Sequence, residues 1–349
     1  MMGESAAAID SNSVVIAYTS TVGGIRIGEF IVIDLFGNIE LQPVTFHNDI
    51  TSSPSVAVLD SNSVFICYRD GNDDNKGKYV VYNLNTGEQE LSETGFNEGS
   101  TGNKYFSTMA DSSTVIIAYR DNSDGGKGKF VVVNPQTGQI KVEETTFSSA
   151  IDVASVTAID SSHTLIAYDE ASPSNSSYFF VINPQTGSVL LSEMQLPDSY
   201  ILSSRKINTT FSFIAYRTLS QEAAFVVVNT ITGEQSAPTI FSYDVWGHSF
   251  SAAMIDYNSI IMSYGIGNST VGKYSVYNID GTVELAESSL NNGESTSNTA
   301  VVSLGCDFLI AYRDGGDNSY GKFVVYNSDI LQSWYIAIDG NDETGDGSE

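Results

Sequence analysis

The chain has 349 residues, a formal net charge of −27 at pH 7 and an isoelectric point near 4.1. Its negative field repels phosphate backbones and anionic lipid headgroups, which excludes nucleic acid and membrane surfaces as direct partners. The first residues lack the basic and apolar stretches of a secretion signal, and no apolar run reaches the ~20 residues of a membrane helix. We therefore expect a soluble protein whose charge attracts cations or a basic protein.

A short apolar run that ends in tyrosine occurs seven times along the chain. Successive tyrosines are 50, 51, 49, 48, 48 and 48 residues apart. We refer to them as the marker tyrosines: Tyr18, Tyr68, Tyr119, Tyr168, Tyr216, Tyr264 and Tyr312. A fixed period of this length is typical of repeat proteins, in which each unit buries its apolar surface against its neighbours.

Within one repeat, the sequence predicts four strands joined by hairpin turns. In residues 55–96 the strands are SVAVLD, VFICYRD, KYVVYN and EQELSETGF, with Asn, Asp, Gly and Ser between them. The first strand consists of small residues, the next two are almost continuously apolar, and the fourth is charged. This order matches a propeller blade, which is crowded at the axis and polar at its outer edge. We therefore predict an all-β fold, a seven-bladed β-propeller with four antiparallel strands in each blade.

The two ends of the chain are predicted to lie in different blades. Residues 5–10 have the composition of an inner strand, and residues 330–338 lie where the outer strand of blade seven is expected. No strand is then exchanged between the termini, and a single propeller domain covers residues 5–338. Residues 1–4 are expected to be disordered, and residues 339–349 to form a disordered acidic tail. The alternative, a linear solenoid, needs polar capping repeats, which neither end shows.

Three copies of the repeat resemble repeats of known proteins. The segments ICYRDGNDDNKGKY, IAYRDNSDGGKGKF and IAYRDGGDNSYGKF resemble a degenerate repeat in uncharacterised propellers of phages, large DNA viruses and bacteria. The resemblance covers nearly the whole chain, although the first, fourth, fifth and sixth copies lack the Arg-Asp pair. It implies a virus-encoded or virion-associated protein, located in the cytoplasm of a host cell or in the virion.

The Arg-Asp pairs follow the marker tyrosine directly. The residues predicted to form this structural repeat are Tyr68, Arg69, Tyr119, Arg120, Asp121, Tyr312 and Arg313. The loop after this strand lies on the propeller face where ligands usually bind. Because the arrangement is repeated, we expect a structural role, in which the aspartate caps the hairpin and the arginine pairs within or between blades.

The loops that follow offer oxygen ligands at alternate positions. They are Asp70, Asn72 and Asp74 in one repeat and Asp314 and Asp317 in another. Calcium binds six to eight such oxygens, which makes these residues candidate ligands. The same residue types also form ordinary turns, and no complete calcium-loop pattern is present, so no cofactor is otherwise predicted.

A first candidate ligand site is a pair of cations in blade five. Arg205 stands where the other copies have small or apolar residues, namely Ala7, Ala57, Thr108, Thr157, Ala253 and Val301, and Lys206 follows it. Charges near the axis need partners or water. Two interpretations remain open, an internal ion pair with Asp169 and Glu170, or a site for an anion or polar ligand at the channel mouth.

A second candidate is the linker SYDVWGHSF between blades five and six. It places Tyr243, Asp244, Trp246 and His248 near Arg217. An aromatic ring flanked by polar groups is typical of a sugar or peptide anchor. The alternative is that Trp246 packs over the junction between blades.

The sequence contains no motif typical of a catalytic site. HExxH, GxSxG, paired CxxC and phosphate-loop patterns are all missing. We therefore expect a non-enzymatic binding or structural module, monomeric, whose partner is another protein of basic character. The alternatives are a carbohydrate-binding propeller that serves attachment and a glycan-cleaving enzyme that collects its carboxylates from different blades.

Overall fold

The structure is a computed structural model that describes residues 4–171, 176–197, 199–267, 271–290, 295–305, 307–315, 321–326 and 333–338. Within these ranges, the side chains at 4, 103–109, 153, 199, 202, 246–249, 298 and 333–338 lie outside the description. The predicted tail, 339–349, and residues 1–3 of the predicted N-terminal segment also lie outside it, and the first strand begins at Glu4.

The described residues form antiparallel strands and no helix, which confirms the predicted all-β class. Runs rich in Val, Ile, Phe and Tyr form the strands because such side chains pack well on a pleated surface. Five sheets have four strands each, always paired in chain order. They are β1 (Glu4–Ala8), β2 (Ser13–Val22), β3 (Ile25–Asp34), β4 (Ile39–His47); β12 (Ile151–Asp160), β13 (His163–Glu170), β14 (Ser177–Ile182), β15 (Val189–Gln195); β16 (Ser199–Lys206), β17 (Phe211–Thr218), β18 (Glu222–Asn229), β19 (Thr239–Tyr243); β20 (Val245–Met254), β21 (Ser259–Ile266), β22 (Val271–Asn278), β23 (Val283–Ser289); and β24 (Thr296–Leu304), β25 (Asp307–Asp314), β26 (Gly321–Tyr326), β27 (Ser333–Ile338).

The sixth sheet has seven strands and differs from the prediction of separate four-stranded blades. Its strands are β5 (Thr51–Val58), β6 (Ser63–Asp70), β7 (Lys76–Asn83), β8 (Gln89–Asp111), β9 (Thr114–Asp121), β10 (Lys127–Val133) and β11 (Ile140–Ser148). Its long strand, β8, pairs first with β7 and then with β9, so one strand serves two repeats. The segment between the two pairings stays extended because its backbone is bonded on both sides. Thr101 N–H donates to Asn75 O at 2.9 Å, and Ser100 O accepts from Asn122 N–H at 2.9 Å.

Aspartates fix the hairpins between the first and second strands of a repeat. The carboxylates of Asp10, Asp60, Asp160 and Asp256 each accept the backbone N–H two residues later at 2.7 Å. These contacts are Asx turns, in which a short polar side chain replaces a backbone acceptor. At the turn between the third and fourth strands, glycine supplies the left-handed backbone, with φ of 71° at Gly87 and 72° at Gly138.

The core consists of apolar layers between neighbouring sheets. In several layers, an aromatic residue at the end of a fourth strand contacts the marker tyrosine of the next repeat. The ring centroids are 5.2 Å apart for Phe46 and Tyr68, and 5.1 Å apart for Phe96 and Tyr119. Such tilted aromatic pairs add to the free energy of burial and set the angle between sheets. Each repeat is therefore held by its neighbour, as expected for a unit that cannot bury its apolar faces alone.

The first and last sheets also pack against each other. Val14, Ile16 and Ile31 of the β1–β4 sheet share one buried cluster with Val302 and Leu309 of the β24–β27 sheet. The strands at the two ends, β1 and β27, each pair within their own sheet. The sheets thus form a ring that closes through side-chain contacts, with the first strands of the repeats nearest the axis. The described residues contain no helix with the length and hydropathy of a membrane span.

Candidate functional site

Each sheet in the ring presents two ends, and the candidate residues divide between them. We call the end that carries Arg69, Arg120, Arg217 and Arg313 the arginine face. We call the end that carries the hairpin aspartates, among them Asp60 and Asp160, the aspartate face. The two faces lie at opposite ends of the same antiparallel strands, since a second strand such as β6 or β9 begins after the hairpin aspartate and has its arginine near the other end.

On the arginine face, a lysine in the third strand lies among three carboxylates. Lys129 Nζ is 2.7 Å from Asp121 Oδ2, 2.6 Å from Glu144 Oε1 and 3.1 Å from Asp124 Oδ2. Glu144 also accepts a hydrogen bond from the hydroxyl of Tyr119. The neighbouring repeat has the same arrangement with Lys78, Asp70, Glu93, Asp73 and Tyr68. We call this arrangement the ionic network.

Within the ionic network, the pKa values of Lys129 and Asp121 are both shifted in the direction that favours their charged forms. Burial by itself lowers the pKa of Lys129, but the hydrogen bonds that its ammonium donates to the carboxylates raise it above its usual range. Burial likewise raises the pKa of Asp121, but hydrogen bonds from Lys129 and Ser123 bring it below its ordinary value. For Tyr119, burial and the hydrogen bond to Glu144 both raise the pKa, so its hydroxyl remains a donor. A general acid or base needs a pKa near the working pH, so this arrangement acts as a scaffold.

The arginine and aspartate of the Arg120-Asp121 pair have separate partners. Asp121 accepts the backbone N–H groups of Ser123 and Asp124 at 2.9 and 3.1 Å, which caps the hairpin. Arg120 instead reaches the next repeat, where its Nη1 lies 2.8 Å from Asp152 Oδ1. The Arg120 side chain keeps 35% of its surface exposed. The guanidinium of Arg120 therefore lies between two repeats, bound to Asp152 and partly exposed to solvent.

Equivalent arginines lie at other junctions of the ring. Arg217 places its guanidinium over the ring of Tyr200, 5.1 Å from the centroid, and its Nη1 donates to Val245 O at 3.4 Å. Arg69 and Arg313 occupy the same register, opposite Ser52 and Ser297 of the first strands. The arginine face thus carries a series of arginines at one structural position.

The loops predicted as calcium sites form tight hairpins. Asp70 Oδ1 accepts the N–H of Asn72 at 2.9 Å, and its other oxygen accepts Lys78 Nζ at 2.7 Å. Asp74 is a left-handed turn residue with φ of 51°. Asp314 lies 3.0 Å from Lys322 Nζ, and the last predicted ligand, Asp317, lies outside the described residues. A calcium ion at Asp70 or Asp314 would have to displace a lysine.

The sequence analysis gave no role to His47, which reaches the ionic network from the preceding repeat. Its Nε2 lies 3.4 Å from Asp70 Oδ2 and 3.7 Å from Glu93 Oε2. These three groups are close enough to share a metal ion, but Lys78 Nζ already contacts both carboxylates. The neutral amide of Asn97 takes the equivalent place one repeat later. We therefore interpret His47 as a bridge between repeats.

Asp169 and Glu170 do not pair with Arg205. Both carboxylate oxygens of buried Asp169 accept the N–H of Ile201, at 2.7 and 2.9 Å, which anchors the start of β16. Glu170 is in register with Ile151, at the arginine face. Arg205 lies near the other end of β16, opposite Phe213, about 16 Å along the strand from the arginine face.

The linker between β19 and β20 lies on the arginine face. Tyr243 ends β19 with 67% of its surface exposed. Asp244 follows in a left-handed conformation with φ of 59°. Trp246 pairs with Gly265 through its backbone, but its side chain and that of His248 lie outside the described residues. Arg217 and Tyr243 therefore share a face with each other and not with Arg205.

An axial cavity of about 520 Å³ lies between the first strands of six repeats, β1, β5, β12, β16, β20 and β24. Small residues line it because these strands crowd around the axis. Serines also tie adjacent first strands together, as where Ser5 Oγ accepts Val56 N–H at 3.1 Å and Ser251 Oγ accepts Val301 N–H at 3.0 Å. Arg205 and Lys206 lie on its wall, toward the aspartate face.

No family model matches the sequence, and no curated protein matches it either. Solved structures do match. The BP39L lectin from Burkholderia pseudomallei has a TM-score of 0.70 and 9% identity, over 97% of this chain and 99% of the lectin. The β-propeller domain of the Trilobed protease from Pyrococcus furiosus has a TM-score of 0.59 and 10% identity, over 97% and 98%. A polysaccharide lyase described as an ulvan lyase of family PL25 has a TM-score of 0.58 and 10% identity, over 86% and 87%. At this identity the likeness identifies the fold alone, that of a β-propeller.

Proposed function

We propose that the protein is a non-catalytic, seven-bladed β-propeller that binds glycans between neighbouring blades on its arginine face. In this proposal the seven-stranded sheet is two blades that share β8, so that each marker tyrosine belongs to one blade. The observation that carries the proposal is the series of arginines at one structural position, two of which, Arg120 and Arg217, contact the next repeat.

The chemistry at these junctions suits sugar hydroxyls. A guanidinium offers several N–H donors in a fixed plane, and a carboxylate beside it accepts O–H donors. Arg120 and Asp152 supply this pair across a junction, 2.8 Å apart and both partly exposed. A ligand with adjacent hydroxyl groups can bond to both partners, which an apolar ligand cannot.

One junction adds aromatic surface. The ring of Tyr200 lies under Arg217, and Tyr243 is largely exposed on the same face. An aromatic ring packs against the C–H face of a sugar while its hydroxyl stays in water. This site therefore offers both a polar fork and a ring.

The lectin among the similar structures supports a glycan ligand, since this fold is used for sugar binding there. The polysaccharide lyase marks the competing function. In the described ionic network, each carboxylate is held by a lysine, as where Lys129 Nζ lies 2.7 Å from Asp121 and 2.6 Å from Glu144, which favours binding over catalysis. The repeats resemble those of phage and viral propellers, and the proposal therefore includes an attachment role for a virus-encoded protein.

A glycan array tests the proposal. Wild-type protein should bind a subset of glycans. The triple variant Arg120→Ala, Arg217→Ala, Arg313→Ala, which keeps Arg69, should lose most of that signal. Each single variant should weaken binding by roughly tenfold, the value of one charged hydrogen bond. Arg26→Ala, which removes an exposed arginine from the tip of the β2–β3 hairpin, is the matched control. If no glycan is bound, or if the triple variant binds as well as wild type, the proposal is wrong. If the protein releases new reducing ends from a glycan, it is instead a glycan-cleaving enzyme.

A basic protein is the second candidate ligand, because the net charge of −27 favours cationic partners. Such binding should weaken steeply as salt rises from 50 to 500 mM, whereas glycan binding through neutral hydroxyls should change little. A pull-down at two salt concentrations, with and without a bound glycan as competitor, separates the two.

A further inference from the structure

The axial cavity is a second site, independent of the arginine face. Its volume of about 520 Å³ is within the range of small-molecule sites. It lies toward the other end of the strands from the junction arginines, so nothing in this inference depends on glycan binding.

The charge of the cavity is opposite to that of the protein. Among the described lining residues, the titratable groups are Arg205 and Lys206, and none is acidic. Arg205 Nη1 donates to Ser204 O at 2.7 Å, and within the described part of the chain no carboxylate lies within ion-pair distance of its guanidinium. Burial lowers the pKa of Arg205 to about 10, so it remains a cation at pH 7. A partly desolvated cation without a counter-ion favours an anion from solution.

Hydroxyl groups add further donors around the same space. The oxygens of Ser5 and Ser251 accept backbone N–H groups of the neighbouring strands, which leaves their O–H groups as donors. The rest of the wall mixes further Ser and Thr residues with an apolar part that includes Ala6, Val56 and Met254. The cavity therefore combines a guanidinium, hydroxyl donors and an apolar surface.

We propose that the axial cavity binds a small organic oxyanion, with a carboxylate or phosphate group on Arg205 and its body against the apolar wall. The planar guanidinium fork matches the two oxygens of such a group, which an ammonium cannot do in the same way. Lys206, at the end of β16, adds a second positive charge at the rim.

The test is titration calorimetry on the full chain at pH 7 and 150 mM NaCl, where charges more than ~8 Å away are largely screened. The probes are succinate, phenyl phosphate and inorganic phosphate, with succinamide as the uncharged analogue. Binding of at least one organic anion at one site per chain, and none of succinamide, is expected. Binding of inorganic phosphate alone would overturn the organic part of the proposal, and binding of no anion at millimolar concentration would overturn all of it.

Three variants connect the binding to Arg205. Arg205→Ala should reduce the affinity at least tenfold, and Arg205→Lys should retain part of it because the charge remains. Arg26→Ala should leave it unchanged. Arg205→Ala is expected to fold, since Ala7, Ala57 and Ala253 occupy the equivalent register in other repeats. A melting temperature at or above that of wild type would verify this. Equal affinity of wild type and a folded Arg205→Ala would assign the anion to another site.

Discussion

The third repeat and the β16–β19 sheet have the same four-strand pattern but differ at the position opposite the marker tyrosine. Lys129 lies opposite Tyr119, whereas Ala224 lies opposite Tyr216. The third repeat therefore needs carboxylates from two other segments to balance its lysine. The fourth strand of the other sheet, β19, is only 5 residues long and carries no acidic residue.

This difference shows that a repeat can be completed without the ionic network. Where it is absent, burial alone raises the pKa of Tyr216 to about 12, without any carboxylate. The sheet without it carries Arg205 and Lys206 on the axial cavity and Arg217 beside exposed Tyr243. The ionic network supports its own repeats, and the β16–β19 sheet, which lacks the network, contributes to both candidate binding sites.

The largest expected effect is the removal of Lys129. In Lys129→Met the apolar stem is kept, but the carboxylates of Asp121 and Glu144 lose their common cation. Breaking a buried ion pair from one side costs about 3–5 kcal/mol, and Lys129 is almost fully buried. Urea unfolding monitored by circular dichroism should show this loss of stability.

Lys273→Met is the matched control in the β20–β23 sheet. Lys273 is more exposed and lies 3.6 Å from one carboxylate, that of Glu287. Its replacement should cost about 0–1 kcal/mol, the usual range for a partly exposed pair. Equal losses for the two variants would contradict the scaffold role of the full ionic network.

The next effect concerns glycines beneath the aromatic residues that join repeats. A Cβ added to Gly77 would lie 2.1 Å from the ring of Phe96. Gly77→Ala should therefore destabilise the protein by about 1–3 kcal/mol, the cost of overpacking. Without this clash the change would be favourable, because glycine inside a strand is normally less stable than alanine. The β16–β19 sheet has Ala223 in the equivalent place, next to Phe241.

Gly95→Ala on the same sheet is the control for Gly77→Ala. An added Cβ at Gly95 meets no heavy atom within 4 Å. This change should be neutral or stabilise by up to about 1 kcal/mol through the lost freedom of the unfolded chain. If both glycine variants are equally stable, Phe96 must be able to move aside, and the aromatic contact is not a fixed one.

The smallest effect is on acid stability. Burial by itself raises the pKa of Asp160, but hydrogen bonds from Ser162 and His163 lower it to about 2, from 3.8. Because the pKa of Asp160 is lower in the folded than in the unfolded protein, its ionised carboxylate stabilises the fold above pH 3.8. This contribution is lost as the pH falls toward 2. In the β16–β19 sheet, the amide of Asn208 makes the same turn and does not titrate.

Thermal melts of wild type and Asp160→Asn should therefore differ most near pH 5. The difference in melting temperature should shrink as the pH falls through 3.8 toward 2. A constant difference over this range would mean that the hydrogen bonds at Asp160 do not depend on its charge.

The strands and turns of each repeat could be predicted because they depend on local residues. The alternation of apolar runs with Asp, Asn and Gly marked the second and third strands, and the small first strands indicated the axis. The continuous strand β8 could not be predicted, since it depends on two backbone hydrogen bonds of the linker, from Thr101 N–H to Asn75 O and from Asn122 N–H to Ser100 O. In the last repeat, the residue predicted to be equivalent to Arg205 was wrong by one position. A bulge between Ser297 and Ala300 places Val302, not Val301, opposite Leu309.

The candidate sites could be predicted only in part. Arg205 stood out because it broke the pattern of small residues. Its pairing with Asp169 was wrong because Asp169 lies at the other end of the blade, where it binds the backbone of Ile201. The partners of Lys129 come from a hairpin and from β11, whose pairing with β10 contains several register shifts. No sequence spacing shows which oxygens such shifted strands bring together.

The continuity of β8 also has a consequence for motion. A strand that is hydrogen-bonded along both halves cannot hinge in the middle without breaking its ladder. The second and third repeats should therefore move as one rigid unit. If the ring opens, it should open at a junction between this unit and a neighbouring sheet. Amide hydrogen exchange should be slowest where β8 passes from one repeat into the next, at a place where other repeats have a loop.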